Sequence, residues 1–307
     1  MSRVIGLAAV QMAPIAWDPA RSVAKIGETV DAIALGFPWV KLVVFHELAA
    51  SGAAPFAPNE PPGYVHAVAE PIPGPTSAAL CAIARRAGVW LVPGSLYERD
   101  GDAVYNTALA ISPEGEIVAR YRKLFPWLPY ESATTAGDSF CVFDIPGVGR
   151  FGLCICYDQW FPEVARTLTW MGAEVILQPT MTPTSDRVLE LVVSQATAIV
   201  NQCYFVGVNG VSQLGGGRSL IVDPDGRVLQ RAGDHPVLLT ELLDLDHVTR
   251  TRETGTLGLT QSLKQLRDSG LTFPIYQHGV GDGEGFKRLG PLSVHTLPID
   301  GRPSTPS

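Results

Sequence analysis

The sequence is poor in charged residues, and its cysteines follow no regular spacing. Only 17% of the residues are charged, and the net charge is −7. No basic run is longer than 120–123, so we expect no nucleic-acid partner. Five cysteines in 307 residues are an odd number, which argues against a disulfide framework. Free cysteines are typical of the reducing cytoplasm, which is the location we expect.

Long hydrophobic runs are also missing. No stretch approaches the roughly 18 apolar residues that a membrane-spanning helix requires. The short apolar run after Arg3 ends at Gln11, and no cleavage site of a secretory signal follows it. We therefore expect no membrane partner. Hydrophobic residues nevertheless make up 46% of the chain, which is enough for a substantial core.

Apolar runs of strand length alternate with helical patterns along most of the chain. Continuous apolar runs predict buried strands at 4–12 and 41–45, and apolar residues in 3.6-residue spacing predict a helix at 20–35. Similar patterns predict helices at 76–87, 162–171 and 186–201, and strands at 89–92, 103–111, 116–121, 140–145, 150–156, 174–178, 204–209, 219–223, 228–231 and 237–242. Alternating βα units mixed with hairpins indicate an α/β fold in which two sheets lie between helical layers.

Three segments show neither pattern. Residues 51–75 and 124–139 are predicted to be long loops, and loops of that length are often functional. From Gly279 the composition shifts to Gly, Pro, Ser and Thr. We therefore predict a single domain over residues 1–278 and an irregular tail over 279–307. The tail either drapes over a partner subunit or is partly disordered.

One thiol stands where a predicted strand meets a predicted helix. The run 150–156 ends in the polar pair Tyr157–Asp158, and a helical pattern with Pro162 in its first turn follows. In α/β folds such a turn exposes one side chain, and nucleophiles are often placed there. Cys156 is therefore the candidate nucleophile, and Cys154 is expected deeper on the same strand face. The alternative is that both are small core residues.

Two further polar residues follow predicted strands. Glu47 follows strand 41–45 and Lys123 follows strand 116–121, so we expect both to approach Cys156. A partly buried carboxylate can take a thiol proton, since burial raises its pKa towards neutrality. An ammonium group stabilises a thiolate and later the negative oxygen of a tetrahedral intermediate. A single Glu or Lys is most often a surface charge, but three at strand ends predict a nucleophilic site.

Other constellations give weaker signals. Among the six histidines only His46 closes a predicted strand, and none has a neighbouring Asn or Asp motif that suggests a Cys–His pair. The spacing of Cys154 and Cys156 is not that of a zinc site. The glycine-rich run 215–219 lacks the lysine and the helix of a phosphate loop. We expect neither a metal nor a cofactor.

Three motifs in the right order resemble the nitrilase superfamily of carbon–nitrogen hydrolases. They are Phe-His-Glu-Leu at 45–48, where the family usually has Pro in place of His, Tyr-Arg-Lys-Leu at 121–124, and the run 152–163 around Cys156. Residues 195–209 and 223–226 resemble later family segments, and the likeness covers about residues 4–255.

The resemblance implies a four-layer α-β-β-α sandwich with two mixed sheets of the six-stranded type. It also implies pairing with a second subunit across a helical face, and a Glu47–Lys123–Cys156 triad that needs no cofactor. Glu131 matches a second glutamate that the family usually has between Lys and Cys. Tyr157–Asp158 after the cysteine, where nitrilases commonly have Trp-Glu, is similar to the amidase-like branches.

The predicted reaction is hydrolysis of a small non-peptide amide through a thioester on Cys156. Lys123 and the backbone N–H of Tyr157 would bind the oxyanion. The pocket candidates flank the strand ends: they are Trp127, Tyr130, Trp160 and Thr180. Three alternatives stay open: a nitrilase, an N-carbamoyl hydrolase in which Arg187 or Arg218 clamps a carboxylate, and an inactive binding scaffold.

Overall fold

The structure is a computed structural model that describes residues 2–54, 59–128, 130–211, 215–278 and 283–292. In chain order its elements are β1 (Val4–Gln11), α1 (Pro19–Gly36), β2 (Val40–Phe45), α2 (Tyr64–Val68), α3 (Pro75–Ala87), β3 (Trp90–Val92), β4 (Ser95–Asp100), β5 (Ala103–Ile111), β6 (Ile117–Arg122), β7 (Cys141–Ile145), β8 (Gly149–Leu153), a 3₁₀ turn (Cys156–Trp160), α4 (Pro162–Trp170), β9 (Val175–Thr180), α5 (Arg187–Asn201), β10 (Tyr204–Asn209), β11 (Leu220–Val222), β12 (Val228–Arg231), β13 (Val237–Asp244), α6 (Leu245–Thr254), α7 (Ser262–Asp268), α8 (Pro274–His278) and α9 (Glu284–Lys287).

The strands form two mixed sheets. The first has the order β13-β1-β2-β3-β5-β4 with β6 also paired to β5, and the second has the order β12-β11-β10-β9-β8-β7. Strands β1, β2 and β3 run parallel, as do β8, β9 and β10, while hairpin partners run antiparallel. The parallel strands direct their carboxyl ends to one edge of each sheet, where ligand sites of α/β proteins are usually built.

Side-chain alternation in the buried strands produces four layers. On β2, Leu42 and Val44 pack into the core between the two sheets, whereas Val43 and Phe45 pack outward under α1 and α3. On the second sheet, Ile176 packs outward under α4 and α5. Strands with both faces covered are apolar throughout, which explains their continuous hydrophobic runs. The predicted α-β-β-α sandwich is therefore confirmed.

The first sheet contains a strand that the sequence analysis missed. Strand β4 carries Glu98, whose carboxylate is buried and is bound by Arg120 and Arg122 from β6. These charges interrupt the apolar pattern on which strand prediction depends, so β4 was not recognised. With β4 and β6 included, the first sheet has seven strands in the described part of the chain, one more than the predicted type.

Other differences lie mainly at the ends of the predicted elements. Helix α2 falls inside the predicted loop 51–75, and α6 to α9 were not predicted. The predicted strand 150–156 stops at Leu153. Of the predicted tail 279–307, only residues 283–292 are described, so the rest of that prediction lies outside the described residues. Within the described segments, no helix is long and apolar enough to cross a membrane.

Candidate active site

The structure brings the predicted polar residues together at one edge of the sandwich. Glu47 lies two residues beyond β2, Lys123 directly follows β6, and Cys156 begins the 3₁₀ turn after β8. The backbone N–H of Glu47 donates to the carbonyl of Thr180 at the end of β9 over 3.3 Å. The Glu47 charge raises the pKa of the Cys156 thiol, so the two groups interact across the site.

Lys123 is bound by two carboxylates. Its Nζ lies 2.9 Å from Oε1 of Glu47 and 2.5 Å from Oε2 of Glu131. The side-chain amide of Asn106 joins the same two carboxylates, at 2.8 Å from Glu47 Oε1 and 3.0 Å from Glu131 Oε1. All four residues are buried, with exposures between 1% and 9%. A group of opposite charges that is closed to water in this way is held rigidly.

Local backbone contacts explain why these side chains meet. The Lys123 N–H donates to the Asn106 carbonyl over 2.9 Å, which extends the β5–β6 pairing by one residue. Glu131 lies in a turn in which its N–H donates to the Trp127 carbonyl and its Oε2 accepts from the Trp127 N–H over 2.6 Å. The turn thus directs one oxygen of Glu131 towards both Trp127 and Lys123.

Cys156 lies beyond its strand rather than at the strand end. Strand β8 ends at Leu153, and Cys156 adopts a left-handed backbone conformation with φ of 48°. Such a conformation is unfavourable for a residue with a side chain, and it is typical of functional turns. Its carbonyl accepts from the side-chain amide of Gln178 over 2.9 Å, which anchors the turn to β9.

Asp158 stabilises this turn. Its Oδ2 accepts from the Ile155 N–H at 2.8 Å and from the Tyr121 hydroxyl at 2.7 Å, and its Oδ1 accepts from the Phe125 N–H at 3.0 Å. Burial raises the pKa of Asp158 to about 6, although Lys123 and these hydrogen bonds act against the shift. The Asp158 side chain is therefore occupied in shaping the turn.

The two cysteines of the predicted strand face different layers. Cys156 packs in the core between the sheets, whereas Cys154 packs in the outer core under α4 and α5. The expectation that they share one strand face was wrong, because regular alternation stops at Leu153. Cys154 is 2% exposed, and burial raises its pKa well above its usual value. It is an ordinary core thiol.

The charges of the site influence one another strongly. Burial raises the pKa of Glu47; Lys123 opposes this rise and the Glu131 carboxylate adds to it. Burial and the Glu47 charge raise the pKa of the Cys156 thiol, and Lys123 again opposes them. Burial disfavours the charge of Lys123, but the Glu131 and Glu47 carboxylates outweigh it and hold its pKa well above the ordinary value. The resting site therefore pairs a neutral thiol with a charged lysine.

Of the four predicted pocket residues, three lie at or near the pocket beside Cys156, and Trp160 lies elsewhere. Trp127 and Tyr157 line a small pocket together with Cys156, and the Tyr130 ring packs on Trp127 at a centroid distance of 4.7 Å. Thr180 is fully buried, and its hydroxyl oxygen lies 3.1 Å from that of Thr182, which lies 3.7 Å from the Cys156 sulfur. Trp160 is not at this pocket. It ends the 3₁₀ turn and lies along a separate groove between α4 and α5.

Several residues at the pocket were not anticipated. Asn106 is a polar residue inside an apolar strand, and that interruption was the available signal. Thr182 and Glu190 line the pocket beside Cys156, with Met181 and Asp186. Glu190 lies on the buried face of α5, where a carboxylate needs a partner. Only the folded arrangement of β9 and α5 brings them to the thiol.

His46 is not among the residues that line the pocket at Cys156. Its ring is fully buried, its Nδ1 lies 2.8 Å from the Glu47 carbonyl oxygen, and burial lowers its pKa to about 4. It is therefore neutral near pH 7. The loop that carries His46 and Glu47 is also packed closely against Gly94, where a Cβ would lie 1.8 Å from the His46 carbonyl oxygen. Gly94 has a φ of 81°, so both space and conformation require glycine there.

One group in the described part of the chain has the spacing of metal ligands. It consists of Asp223, Asp225 and His247. His247 Nε2 lies 3.0 Å from Asp225, and Arg227 forms ion pairs with both carboxylates. These residues lie in the β11–β12 turn and on α6, outside the pocket at Cys156. A guanidinium group already provides the positive charge that a metal would provide.

The comparison with known proteins now assigns the family. The profile described as carbon-nitrogen hydrolase matches residues 6–253. The chain belongs to the carbon-nitrogen hydrolase family.

Among individual proteins, the chain is similar to a formamidase of Bacillus cereus (strain Q1), with 31% identity over 191 residues, 62% of this chain and 56% of the relative. The chain thus spans about half the length of the curated relatives it matches.

Solved structures share the fold. A carbon-nitrogen hydrolase from Helicobacter pylori G27 superposes with a TM-score of 0.75 at 23% identity, covering 91% of this chain and 99% of that one. A nitrilase-superfamily protein of Saccharomyces cerevisiae, Nit3, gives 0.73 at 24% identity, with 82% and 94% covered. An amidase from Nesterenkonia sp. AN1 gives 0.68 at 25% identity, with 81% and 97% covered, and its active-site cysteine has added acrylamide.

Proposed function

We propose that this protein hydrolyses a small non-peptide amide to a carboxylic acid and ammonia or an amine, through a thioester on Cys156. The observation that carries the proposal is the buried group in which Lys123 lies between Glu47 and Glu131 beside the thiol. Each step needs only these side chains and water. Five free cysteines support a reducing, cytoplasmic location.

The geometry supports the following sequence of steps. Glu47 takes the Cys156 proton while the sulfur attacks the amide carbon and the carbonyl oxygen becomes negative. Lys123 and the N–H of Tyr157, in the first turn of the 3₁₀ helix, bind that oxygen. Glu47 then gives the proton to the leaving nitrogen, and the C–N bond breaks. A water molecule, deprotonated by Glu47, hydrolyses the thioester and restores the thiol. Glu131 positions Lys123 throughout.

The pocket favours a small acyl group. The pocket beside Cys156 is narrow: its empty volume is only about 210 Å³ even with open solvent included. The walls include the ring of Trp127 and the side chains of Tyr157 and Met181. A pocket this narrow favours a small acyl group over a bulky one.

The carbamoyl alternative is weakened by the placement of its two arginines. Arg187 is 1% exposed, and its guanidinium already binds Glu190 Oε2 at 2.9 Å and the carbonyls of Gly217 and Arg218. The protein itself therefore engages all three nitrogens of this guanidinium. The Arg218 side chain is exposed and is not among the residues that line the pocket at Cys156.

The test is a matched comparison of propionamide with propionitrile, measured as ammonia and propionate release at equal concentration. We expect the amide to react faster, because Glu47 has a proton ready for the leaving nitrogen once it has taken one from Cys156. A nitrile needs its nitrogen protonated before water is added, which requires a different placement of the acid. Faster ammonia release from the nitrile would replace the amidase assignment with a nitrilase. No release from either compound, or from a wider panel of amides and carbamoyl compounds, would support an inactive scaffold.

We also propose that the protein forms at least a dimer, through the outer face of α5. That face exposes Leu189 (56%) and Val192 (66%), with Val188, Ile199 and Val200 beside them. A contiguous apolar face of this kind marks an interface. Light scattering at micromolar concentration should give at least twice the 32.8 kDa chain mass. The double change Leu189→Glu and Val192→Glu should lower it to the monomer, whereas Leu35→Glu on α1 should not. A monomeric wild-type protein would contradict the proposal.

A further inference from the structure

The candidate nucleophile has a second polar neighbourhood besides Glu47 and Lys123. The Thr182 hydroxyl oxygen lies 3.7 Å from the Cys156 sulfur and 3.1 Å from the Thr180 hydroxyl oxygen. The same hydroxyl donates to Oε1 of Glu190 over 3.1 Å. Thr182, Thr180 and Glu190 are 4% exposed or less. Both Thr182 and Glu190 line the pocket into which the acyl group must fit.

Glu190 is held in this position by a buried ion pair. Its Oε2 accepts from Nη1 of Arg187 at 2.9 Å, and the two side chains are 2% exposed or less. Two further donors of Arg187, on Nε and Nη2, bind the backbone carbonyls of Gly217 at 3.3 Å and Arg218 at 2.9 Å. A buried guanidinium held in this way favours a charged carboxylate as its partner, since either charge alone would be costly to bury.

The ion pair determines which way the Thr182 hydroxyl points. A carboxylate can only accept hydrogen bonds, so the Thr182 hydrogen must be directed at Glu190. The Thr182 oxygen therefore presents only lone pairs to Cys156 and to the pocket. Its backbone is fixed as well, because Asn209 accepts from the Thr182 N–H at 2.9 Å and donates to the Thr182 carbonyl at 3.1 Å.

We propose that Glu190 is a specificity-determining residue. By accepting the Thr182 hydroxyl hydrogen, it makes Thr182 a hydrogen-bond acceptor in the acyl pocket. The Thr180 hydroxyl donates to one lone pair of the Thr182 oxygen, and the second lone pair is left for the pocket. Small amides whose acyl group carries an O–H or N–H donor are then preferred over apolar amides of the same shape, which leave the second lone pair without a donor. Acyl groups that can only accept are disfavoured most. This inference rests on the proposed amide hydrolysis.

Three amides of similar size test the proposal. Glycolamide carries a hydroxyl donor, propionamide a methyl group in the same place, and oxamate a carboxylate that can only accept. We expect kcat/KM for glycolamide to be about tenfold that for propionamide, with oxamate slowest. In Glu190→Gln, the introduced amide accepts from Arg187 through its oxygen and donates to Thr182 through its nitrogen. The Thr182 hydrogen then turns towards the pocket, so the glycolamide preference should fall about tenfold and oxamate should gain.

The glycolamide-to-propionamide ratio of kcat/KM is compared between wild type and each variant. The intrinsic reactivity of the two amides is the same in every protein and therefore cancels. Glu174→Gln is the matched control, because it also replaces the carboxylate of an ion pair, here with Arg3, but lies outside the pocket at Cys156. It should leave the glycolamide-to-propionamide ratio unchanged. Thr182→Ser keeps the hydroxyl and should keep the preference, whereas Thr182→Val should lose it. These two variants decide the question if Glu190→Gln does not fold. An unchanged ratio in the folded Glu190→Gln protein, or in Thr182→Val, would overturn the inference.

A second measurement does not depend on turnover. The rate at which iodoacetamide alkylates Cys156 rises with pH as the thiolate forms. In Glu190→Gln the midpoint of that rise should move to lower pH for two reasons: the Glu190 charge that raises the pKa of Cys156 is lost, and the freed Thr182 hydroxyl donates to the thiolate. The double variant Glu190→Gln/Thr182→Val loses the same charge but has no hydroxyl, so its midpoint should lie above that of Glu190→Gln. Equal midpoints in these two variants would overturn the proposed role of Glu190. If wild type hydrolyses none of the amides, the proposed function fails, and the difference between these two midpoints still decides the hydrogen-bond inference.

Discussion

Cys156→Ala is expected to abolish amide hydrolysis and to leave the fold intact. The change removes only one sulfur atom from the protein, so the packing is little affected. That sulfur is the atom that attacks the carbonyl carbon of the substrate, so the reaction cannot start. Removing the nucleophile of a comparable triad lowers kcat roughly 10⁶-fold. The turn that carries residue 156 should persist, since the Asp158 carboxylate and Gln178 amide hold it through backbone groups. Ammonia release measures the activity, and the thermal unfolding midpoint checks the fold.

Cys154→Ala is the matched control for this prediction. Cys154 lies two residues away but packs in a different layer, under α4 and α5. Its replacement should leave ammonia release close to that of wild type. Iodoacetamide should label Cys156 before Cys154, and the labelled peptides must be mapped because Cys81 and Cys141 are partly exposed. Retained activity in Cys156→Ala, or labelling of Cys154 first, would remove Cys156 from the role of nucleophile.

The elements that carry the site could be predicted because their sequence patterns are local. Strand β2 is a continuous apolar run that ends just before His46 and Glu47, and the strand before Lys123 alternates in a hairpin. Local pattern and final burial agree in both places, so the structure brings Glu47 and Lys123 together as expected. Sequence spacing alone did not predict that Lys123 would be buried between two carboxylates.

The acyl pocket was much harder to predict. Thr182 follows β9 and Glu190 lies one turn into α5, and neither residue interrupts a pattern strongly. Their roles depend on contacts between residues that are not adjacent in the sequence: the Thr182 hydroxyl lies near Cys156, and Glu190 is paired with Arg187. In the N-carbamoyl alternative, Arg187 or Arg218 would clamp a substrate carboxylate, but the partner of Arg187 is a buried carboxylate of the same helix. A sequence read without contacts cannot distinguish those two roles.

The position of Cys156 illustrates a smaller failure. The apolar residues from Phe151 to Cys156 look like one strand, yet the ladder ends at Leu153. The reason is the Asp158 carboxylate. It accepts the hydrogen bond of the Ile155 N–H, so that this N–H is not available to a neighbouring strand, and the backbone turns. Local hydrogen bonds from Asp side chains compete with strand pairing in this way. The turn, rather than the strand end, presents the thiol.

Lys123→Met should lower kcat/KM for the amide by about 10³-fold. Methionine has nearly the length of lysine but neither charge nor donor, so the oxyanion loses a ligand. Glu47 and Glu131 would also be left facing each other without the ammonium that lies 2.9 Å and 2.5 Å from them.

The loss of the Lys123 charge also shifts the pKa of Cys156, and the direction of that shift can be measured separately from turnover. Lys123 lowers the pKa of both Glu47 and Cys156 against the raising effect of burial. Without it both pKa values rise, so the Cys156 thiol stays protonated to higher pH. The alkylation profile of Cys156 should therefore shift to higher pH in Lys123→Met. Lys41→Met, an exposed lysine on β2, is the matched control and should shift neither the profile nor the rate. Near-normal turnover in Lys123→Met would mean that this lysine only neutralises its two carboxylates, and the oxyanion would then depend on the Tyr157 N–H alone.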